Sequence, residues 1–293
     1  MDLGLVVATL GRLEPLRRLL DSLDGQLEGD DRIAIVAQQN VEEVTALVAA
    51  HPLAERVVVT TSERGAARGR NAGVAALPEG ERVLGFPNDT TWYPAGSVAA
   101  LRAAVDPQGF DVGAIAVVDE HGPKFELPAR GTPLDRWNVW SVIEMGLVLR
   151  RSLFDRIGGF DAELGTGAPT PWQAGEATDL LLRLISREPE VATAFRWLPA
   201  EASVGGVADA HGLGPAARRR KLRAYGRGLG RVVTRWRYPL WWRFAFVVGG
   251  LLFGVRHGGD YSAVDGWWVF LGRFEGCLGR TLGRRAPVAA VTR

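Results

Sequence analysis

The chain has 293 residues, 47% of them apolar and 23% charged, enough for one large or two small domains with a substantial core. Its single cysteine, Cys277, excludes an intramolecular disulfide and fits a reducing compartment. The net charge of +2 hides a division: residues 215–293 hold 16 Lys/Arg against three acids (+13), and residues 1–214 hold 19 against 30 (−11), an acidic body with a basic appendage suited to an anionic surface or ligand.

The N-terminal stretch MDLGLVVATLGR has no basic segment ahead of its apolar run, so it reads as a first strand and not as a secretion signal. Leu3 to Ala8 is that strand. Leu13, Leu16, Leu19, Leu20 and Leu23 then recur at helical spacing. Arg32 to Ala37 predicts a second strand that ends in Gln38-Gln39-Asn40. Val44, Leu47 and Val48 mark a helix stopping near Pro52, and Val57 to Thr61 a third strand. Ala66 to Leu77 is a glycine-rich loop and helix, and Val83 to Phe86 a fourth strand. Strand and helix thus alternate through the first hundred residues, as in parallel β-α-β units. A helix from Ser97 to Val105 and a strand from Val112 to Val118 follow. After an irregular segment, regular structure resumes from Trp137 to Arg151, and Pro171 to Asp179 opens a helix with Leu180, Leu181, Leu184 and Ile185 on one face.

Several stretches carry polar groups where open α/β sheets bind ligands, at the carboxyl ends of strands. Thr9 and Arg12 follow strand one, Gln38 to Asn40 follow strand two, and Asn88-Asp89 follow strand four. Turn chemistry explains each position singly; the set points to a shared ligand. Arg64 to Gly73 combines small residues with Arg68 and Arg70, which suits a pyrophosphate at a helix N-terminus, although Gly/Ala packing explains it equally. It is not a P-loop, since no Gly-Lys-Ser/Thr follows. Glu176 and Asp179 lie on one face at a helix start, as capping acids or as a positioned base. In the tail, Phe244 to Val255 is apolar but interrupted by Gly249-Gly250 and flanked by Arg243 and Arg256. It falls short of the roughly 20 residues a bilayer span needs. It reads either as a helix lying in a membrane interface or as a helical subdomain packed on the body. No nucleic-acid-binding module accompanies these aromatics, so no nucleic-acid partner is expected.

In order, LVVATLGRLEPLRRLLDSL, RGAARGRNAGV, FPNDTTWYP, GLVLRRSLFDRIGGFDAELGTG, PWQAGEATDLLLRL and KLRAYGRGLG resemble a family-2 glycosyltransferase of the GT-A fold, of the bacterial type that builds surface polysaccharide. The resemblance spans about residues 3–232. It implies an α/β, Rossmann-like, mostly parallel central sheet flanked by helices in a domain over residues 1–214, with a nucleotide-sugar-binding half (1–105) and an acceptor half (106–214). Residues 215–293 would be a basic, aromatic-rich helical extension. The implied activity is inverting transfer of a sugar from a nucleotide-diphosphate sugar to a hydroxyl of a glycan or lipid-linked acceptor. The implied place is the cytoplasm, peripheral at an anionic membrane surface. By the same resemblance Thr9 and the Gln38–Asn40 turn, Gln39 and Asn40 above all, face the base, Arg12 and Asn88 belong to the donor site, and Arg70 faces the nucleotide or its diphosphate. Asp89 matches an acid of the metal-binding Asp-Xaa-Asp motif, Glu176 falls in the Glu-Asp motif that delivers the base, and His211 matches a late histidine that completes the metal site. Trp172 and Gly165–Gly167 would shape an acceptor or sugar pocket.

Two departures stand out. Asn88 and Thr90 replace carboxylates, so a divalent metal (Mn or Mg) would rest on Asp89 and the donor's own diphosphate. Ala177 replaces the usual Asp, so Glu176 or Asp179 would have to act as base. These losses also suit a non-catalytic relative that binds a nucleotide, a glycan or a partner protein. A sugar nucleotidyltransferase is disfavoured by the missing N-terminal glycine-rich signature.

Overall fold

Runs of Val, Ile, Leu and Ala with no polar alternation build strands buried on both faces, as parallel sheets covered by helices require. The structure is a computed structural model and describes residues 1–105, 109–119, 122–206, 212–257 and 261–283. Its first part runs β1 (Leu3–Thr9), α1 (Leu13–Leu23), β2 (Arg32–Ala37), α2 (Val41–Ala49), β3 (Val57–Thr61), α3 (Ala66–Ala76), β4 (Val83–Gly85) and α4 (Ser97–Ala104). There follow β5 (Val112–Ala114), β6 (Ala116–Asp119), β7 (Gly122–Pro123), β8 (Leu147–Arg150), α5 (Arg151–Ile157), α6 (Glu176–Arg187), α7 (Pro189–Thr193), β9 (Arg196–Trp197) and β10 (Ser203–Gly205). The chain closes with α8 (Pro215–Arg235), α9 (Leu240–Val248), α10 (Phe253–Arg256) and α11 (Ala263–Leu278).

The central sheet has seven strands in the order β3-β2-β1-β4-β8-β5-β9. All neighbours pair in parallel except β8, which is antiparallel to both β4 and β5. The chain moves outward from β1 through β2 to β3, then returns to β4 on the other side of β1, so the crevice past the ends of β1 and β4 is a topological switch point. Leu16, Leu19, Leu20 and Leu23 of α1 are buried in the core with β1 and β2, whereas Leu13, at the start of the helix, stays exposed. Helix α3 lies against the sheet through Gly69 and Gly73, where a Cβ would run into Ala8 and Val6.

The apolar run Val112 to Val118, expected as one strand, is two. β5 belongs to the central sheet, and β6 joins a three-stranded sheet, β10-β6-β7. The switch follows Ile115, whose N–H donates to Gly146 O at 2.8 Å as the last bond in the β5–β8 register, after which Ala116 pairs with Ser203 of β10. Between Trp137 and β8 the regular structure is two 3-10 turns, Asn138–Ser141 and Glu144–Gly146.

The chain divides into two compact units: residues 1–163 with 176–211, and residues 164–175 with 212–293. In the second unit, α8 and α11 touch backbone to backbone. A Cβ on Gly226 would meet Val269 O at 3.0 Å, and one on Gly272 or Gly276 would strike the Arg223 or Arg227 carbonyl. Gly226 and Gly230 on α8 face Gly272 and Gly276 on α11, a small-residue spacing that lets helices approach closely. Two buried acids of α11 lock the pair. Asp265 accepts from Arg218 and Arg219, and Glu275 from Arg223 and Arg227. The apolar tail segment is not one helix, since α9 ends at Val248 and α10 begins at Phe253. No helix among the described residues is long and apolar enough to cross a membrane.

Candidate active site

The switch point gathers Thr9 at the end of β1 and Asp89 four residues past the end of β4. Thr9 Oγ1 donates to Asp89 Oδ2 at 2.7 Å and accepts from Gly11 N at 3.0 Å. Arg12 clamps the same carboxylate, with Nε 3.1 Å from Oδ2 and Nη2 on Oδ1. Gly11 makes this turn possible: its φ of +78° is left-handed, and a Cβ would stand 2.6 Å from that of Asn40. Asn40, also left-handed at φ 51°, starts α2 and donates to Gly11 O at 3.4 Å. Gln39 and Asn40 are exposed beside this turn. Gln38 instead turns inward, donating to Ser62 Oγ, Glu63 O and Gly65 O at 2.7–3.0 Å and fixing the loop that enters α3.

Asn88 connects Asp89 to a second cluster. Arg70, on α3 and 3% exposed, donates from Nη1 to Glu176 Oε1 at 2.9 Å and from Nη2 to Asn88 Oδ1 at 2.9 Å. Asn88 Nδ2 donates to Glu144 Oε1 at 3.1 Å, and the same Glu144 oxygen lies 3.3 Å from Arg70 Nη2. Two carboxylates therefore share one buried guanidinium. Burial, and then the charge of Glu144, push the Glu176 carboxyl above its usual range against the pull of Arg70. Burial opposes ionisation of Glu144 too, but Arg70, the Asn88 hydrogen bond and Lys124 hold it below. A carboxylate raised in this way is a stronger base than an ordinary one and is available nearer neutral pH.

The other expected site residues fall elsewhere. Asp179 is fully buried and accepts from Arg183 Nε at 3.0 Å; Arg183 in turn caps the carbonyls of Ile157 and Gly159 at 2.6 Å. It braces the Ile157–Phe160 turn, which Asn71 pins from the other side through Phe160 N and O. Ala177 is buried, so the position after Glu176 faces the interior. His211 lies outside the described residues. Trp172 belongs to the second unit, where the Arg231 guanidinium sits 5.6 Å from its ring centroid.

The donor set around Asp89 does not fit a divalent metal. Such ions need about six oxygen ligands. Here both Asp89 oxygens accept hydrogen bonds from Thr9 and Arg12, and the Asn88 oxygen accepts from Arg70. Among the described residues no three His, Cys, Asp or Glu side chains come together as a metal site.

No protein-family model matches the sequence, and no curated protein matches it. Solved structures do. A fragment of S. aureus TarS, a glycosyltransferase, spanning its residues 1–349, superposes with a TM-score of 0.55 over 97% of this chain and 93% of that one, at 13% identity. The same fragment has been solved with UDP and with UDP-GlcNAc, each at a TM-score of 0.56 and 13% identity over the same shares of both chains. Longer TarS gives 0.57 at 12% identity; the match takes in 94% of this chain and 55% of that one. At these identities the likeness is one of fold. The chain has the mixed α/β, GT-A-like architecture, with a mostly parallel seven-stranded sheet flanked by helices.

Glu144 is the site residue that sequence reasoning missed. It lies in a segment with no motif. Its one signal is an acid just ahead of the apolar run Leu147–Leu149, and only the reversed direction of β8 turns that into a place beside Asn88.

Proposed function

We propose that the protein is an inverting glycosyltransferase of the bacterial family-2 type. It takes a nucleotide-diphosphate sugar at the strand ends and moves the sugar, a hexose, to a hydroxyl of a glycan or lipid-linked acceptor in surface-polysaccharide synthesis. The observation that carries the reading is the Thr9–Asp89–Arg12 constellation at the switch point, joined through Asn88 to a buried carboxylate of raised pKa, Glu176. Thr9, Gln39 and Asn40 border the base, Arg12 the diphosphate, and Arg70 orients Glu176. The acceptor hydroxyl gives its proton to Glu176 as its oxygen bonds to the sugar's anomeric carbon. The bond from that carbon to the diphosphate breaks on the opposite face, and the nucleoside diphosphate leaves with the electron pair.

The basic unit would hold the enzyme at the inner, anionic face of the cell membrane. Leu240, Trp241 and Phe244 share a face of α9 and are 79%, 66% and 71% exposed, and Arg235, Arg237 and Arg256 are exposed in the same unit.

The test is release of nucleoside diphosphate by the purified full chain across a panel of nucleotide sugars that includes UDP-GlcNAc. No hydrolysis or transfer with any donor, with or without Mn²⁺, would sink the reading. Ala177 favours a second reading, a non-catalytic relative. Calorimetric nucleotide binding without turnover would support that one.

A further inference from the structure

The acid that the motif offers to a metal is already occupied by a cation of the protein's own. The Asp89 side chain is 5% exposed and that of Arg12 is 56% exposed. The carboxylate is thus sealed behind the guanidinium, and the guanidinium is exposed at the switch point. A guanidinium has five N–H donors in a rigid fork. Asp89 takes the Nε–H and one Nη2–H, leaving the second Nη2–H and both Nη1–H groups. Thr9, itself fixed by the Gly11 N–H, anchors the other side of the carboxylate. The fork is therefore set before any ligand arrives, which lowers the rotamer entropy lost on binding. Diphosphate oxygens are matched to such a fork through short, charge-assisted hydrogen bonds.

Resting on the donor-site reading above, we propose that Arg12, held by Asp89 and Thr9, does the work of a divalent cation, so that this site binds a nucleoside diphosphate without metal. Asp89 is then a positioning residue for Arg12 and not a ligand of an ion. The arrangement explains why Asn88 and Thr90 stand where carboxylates would otherwise gather. With an arginine as the cation, one buried carboxylate suffices, and further acids would only compete with the diphosphate for it.

Calorimetry on the full chain tests this, using UDP, dTDP, GDP, CDP and ADP as probes, in EDTA and again in Mn²⁺. One nucleoside diphosphate is expected to bind in EDTA with an affinity that Mn²⁺ changes by less than about twofold, within the scatter of a single weak contact. Arg12→Ala should weaken it on the order of 10- to 100-fold, and Arg12→Lys, which keeps the charge but not the fork, should recover only part of that loss. Arg12→Ala leaves the buried Asp89 carboxylate without its cation and should lower the melting temperature, whereas Arg12→Lys keeps a charge beside it and should melt near the parent, so the loss of the fork is read on the lysine variant. Binding that requires Mn²⁺, or that survives Arg12→Ala unaltered, overturns the proposal while leaving the glycosyltransferase reading standing. Failure of every nucleotide in both conditions overturns the two together.

Discussion

Both units bury acids against arginines, in opposite proportions. At the candidate site two carboxylates, Glu144 and Glu176, share Arg70. Between α8 and α11 each carboxylate has two arginines: Asp265 has Arg218 and Arg219, and Glu275 has Arg223 and Arg227. The consequence shows in their acidity. Burial works against ionisation in every case, yet hydrogen bonds from Ser262 and Arg218 hold Asp265 down to about 2, and Glu275 is lowered as well. Glu176, with a like charge as neighbour, is raised. A surplus of arginine makes a settled electrostatic lock; a deficit leaves a carboxylate poised to exchange a proton.

The largest effect should come from removing the poised acid. Glu176→Gln keeps the shape and an acceptor for Arg70 but has no base. Turnover should fall about 10²- to 10⁴-fold, with the melting temperature unchanged or higher because one of two like charges is gone. A variant that turns over normally, or that melts early while inactive, would make Glu176 a structural partner of Arg70.

The opposite outcome is expected in the lock. Glu275→Ala strands Arg223 and Arg227 against a closely packed helix pair and should cost about 3 kcal/mol by urea denaturation, leaving nucleotide binding at the strand ends intact. The locked acids also carry a pH signature. Asp265 has a folded pKa depressed from 3.8 to about 2, so its stabilisation is complete above the unfolded value and is lost as pH falls through 2. Acid unfolding that begins near pH 6 would point to other groups.

The arginines beyond those locks give the second unit its excess charge. With Leu240, Trp241 and Phe244 exposed, α9 should carry the protein onto vesicles of 30% phosphatidylglycerol in phosphatidylcholine. Trp241→Glu with Phe244→Glu should lower the bound fraction roughly tenfold or more, given about 1.5–3 kcal/mol for each large apolar side chain buried. Equal flotation of the two proteins would refute the membrane role.

These regions were unequally legible in the sequence. The strand ends are readable because parallel strands are continuous apolar runs that stop at polar residues, which puts Thr9, Arg12 and Asp89 on one edge from the sequence alone. What could not be read was pairing. Asp89 looks like a metal ligand until Arg12 is seen across it, and Asp179 looks like a base until Arg183 is seen beside it. In the tail, Asp265 and Glu275 counted only as charges against a basic background. GRGLG was a motif of resemblance, and its physical reason, a helix crossing with no room for side chains, needs the partner helix. Glu144 was hidden by topology. Gly85 pairs with Val148 in antiparallel register, so the residues just before β8 lie beside those just after β4, a neighbourhood that no spacing along the chain encodes.

That neighbourhood yields the finest test of the comparison. If the deficit of arginine is what raises Glu176, then neutralising its rival should settle it. Glu144→Gln leaves Arg70 with one carboxylate, as in a simple ion pair, and removes the like charge that stands second only to burial among the causes of the shift. The carboxyl of Glu176 should then ionise at lower pH, and the acid limb of the turnover profile should move down with it. The sign is fixed by linkage: a group with a raised folded pKa destabilises the fold once pH rises through that value, so the variant should also gain stability on the alkaline side. A limb that moves up would refute the like-charge account, and one that stays in place while Glu176→Gln abolishes it would show that burial alone sets the acidity and that Glu144 serves only to hold Asn88.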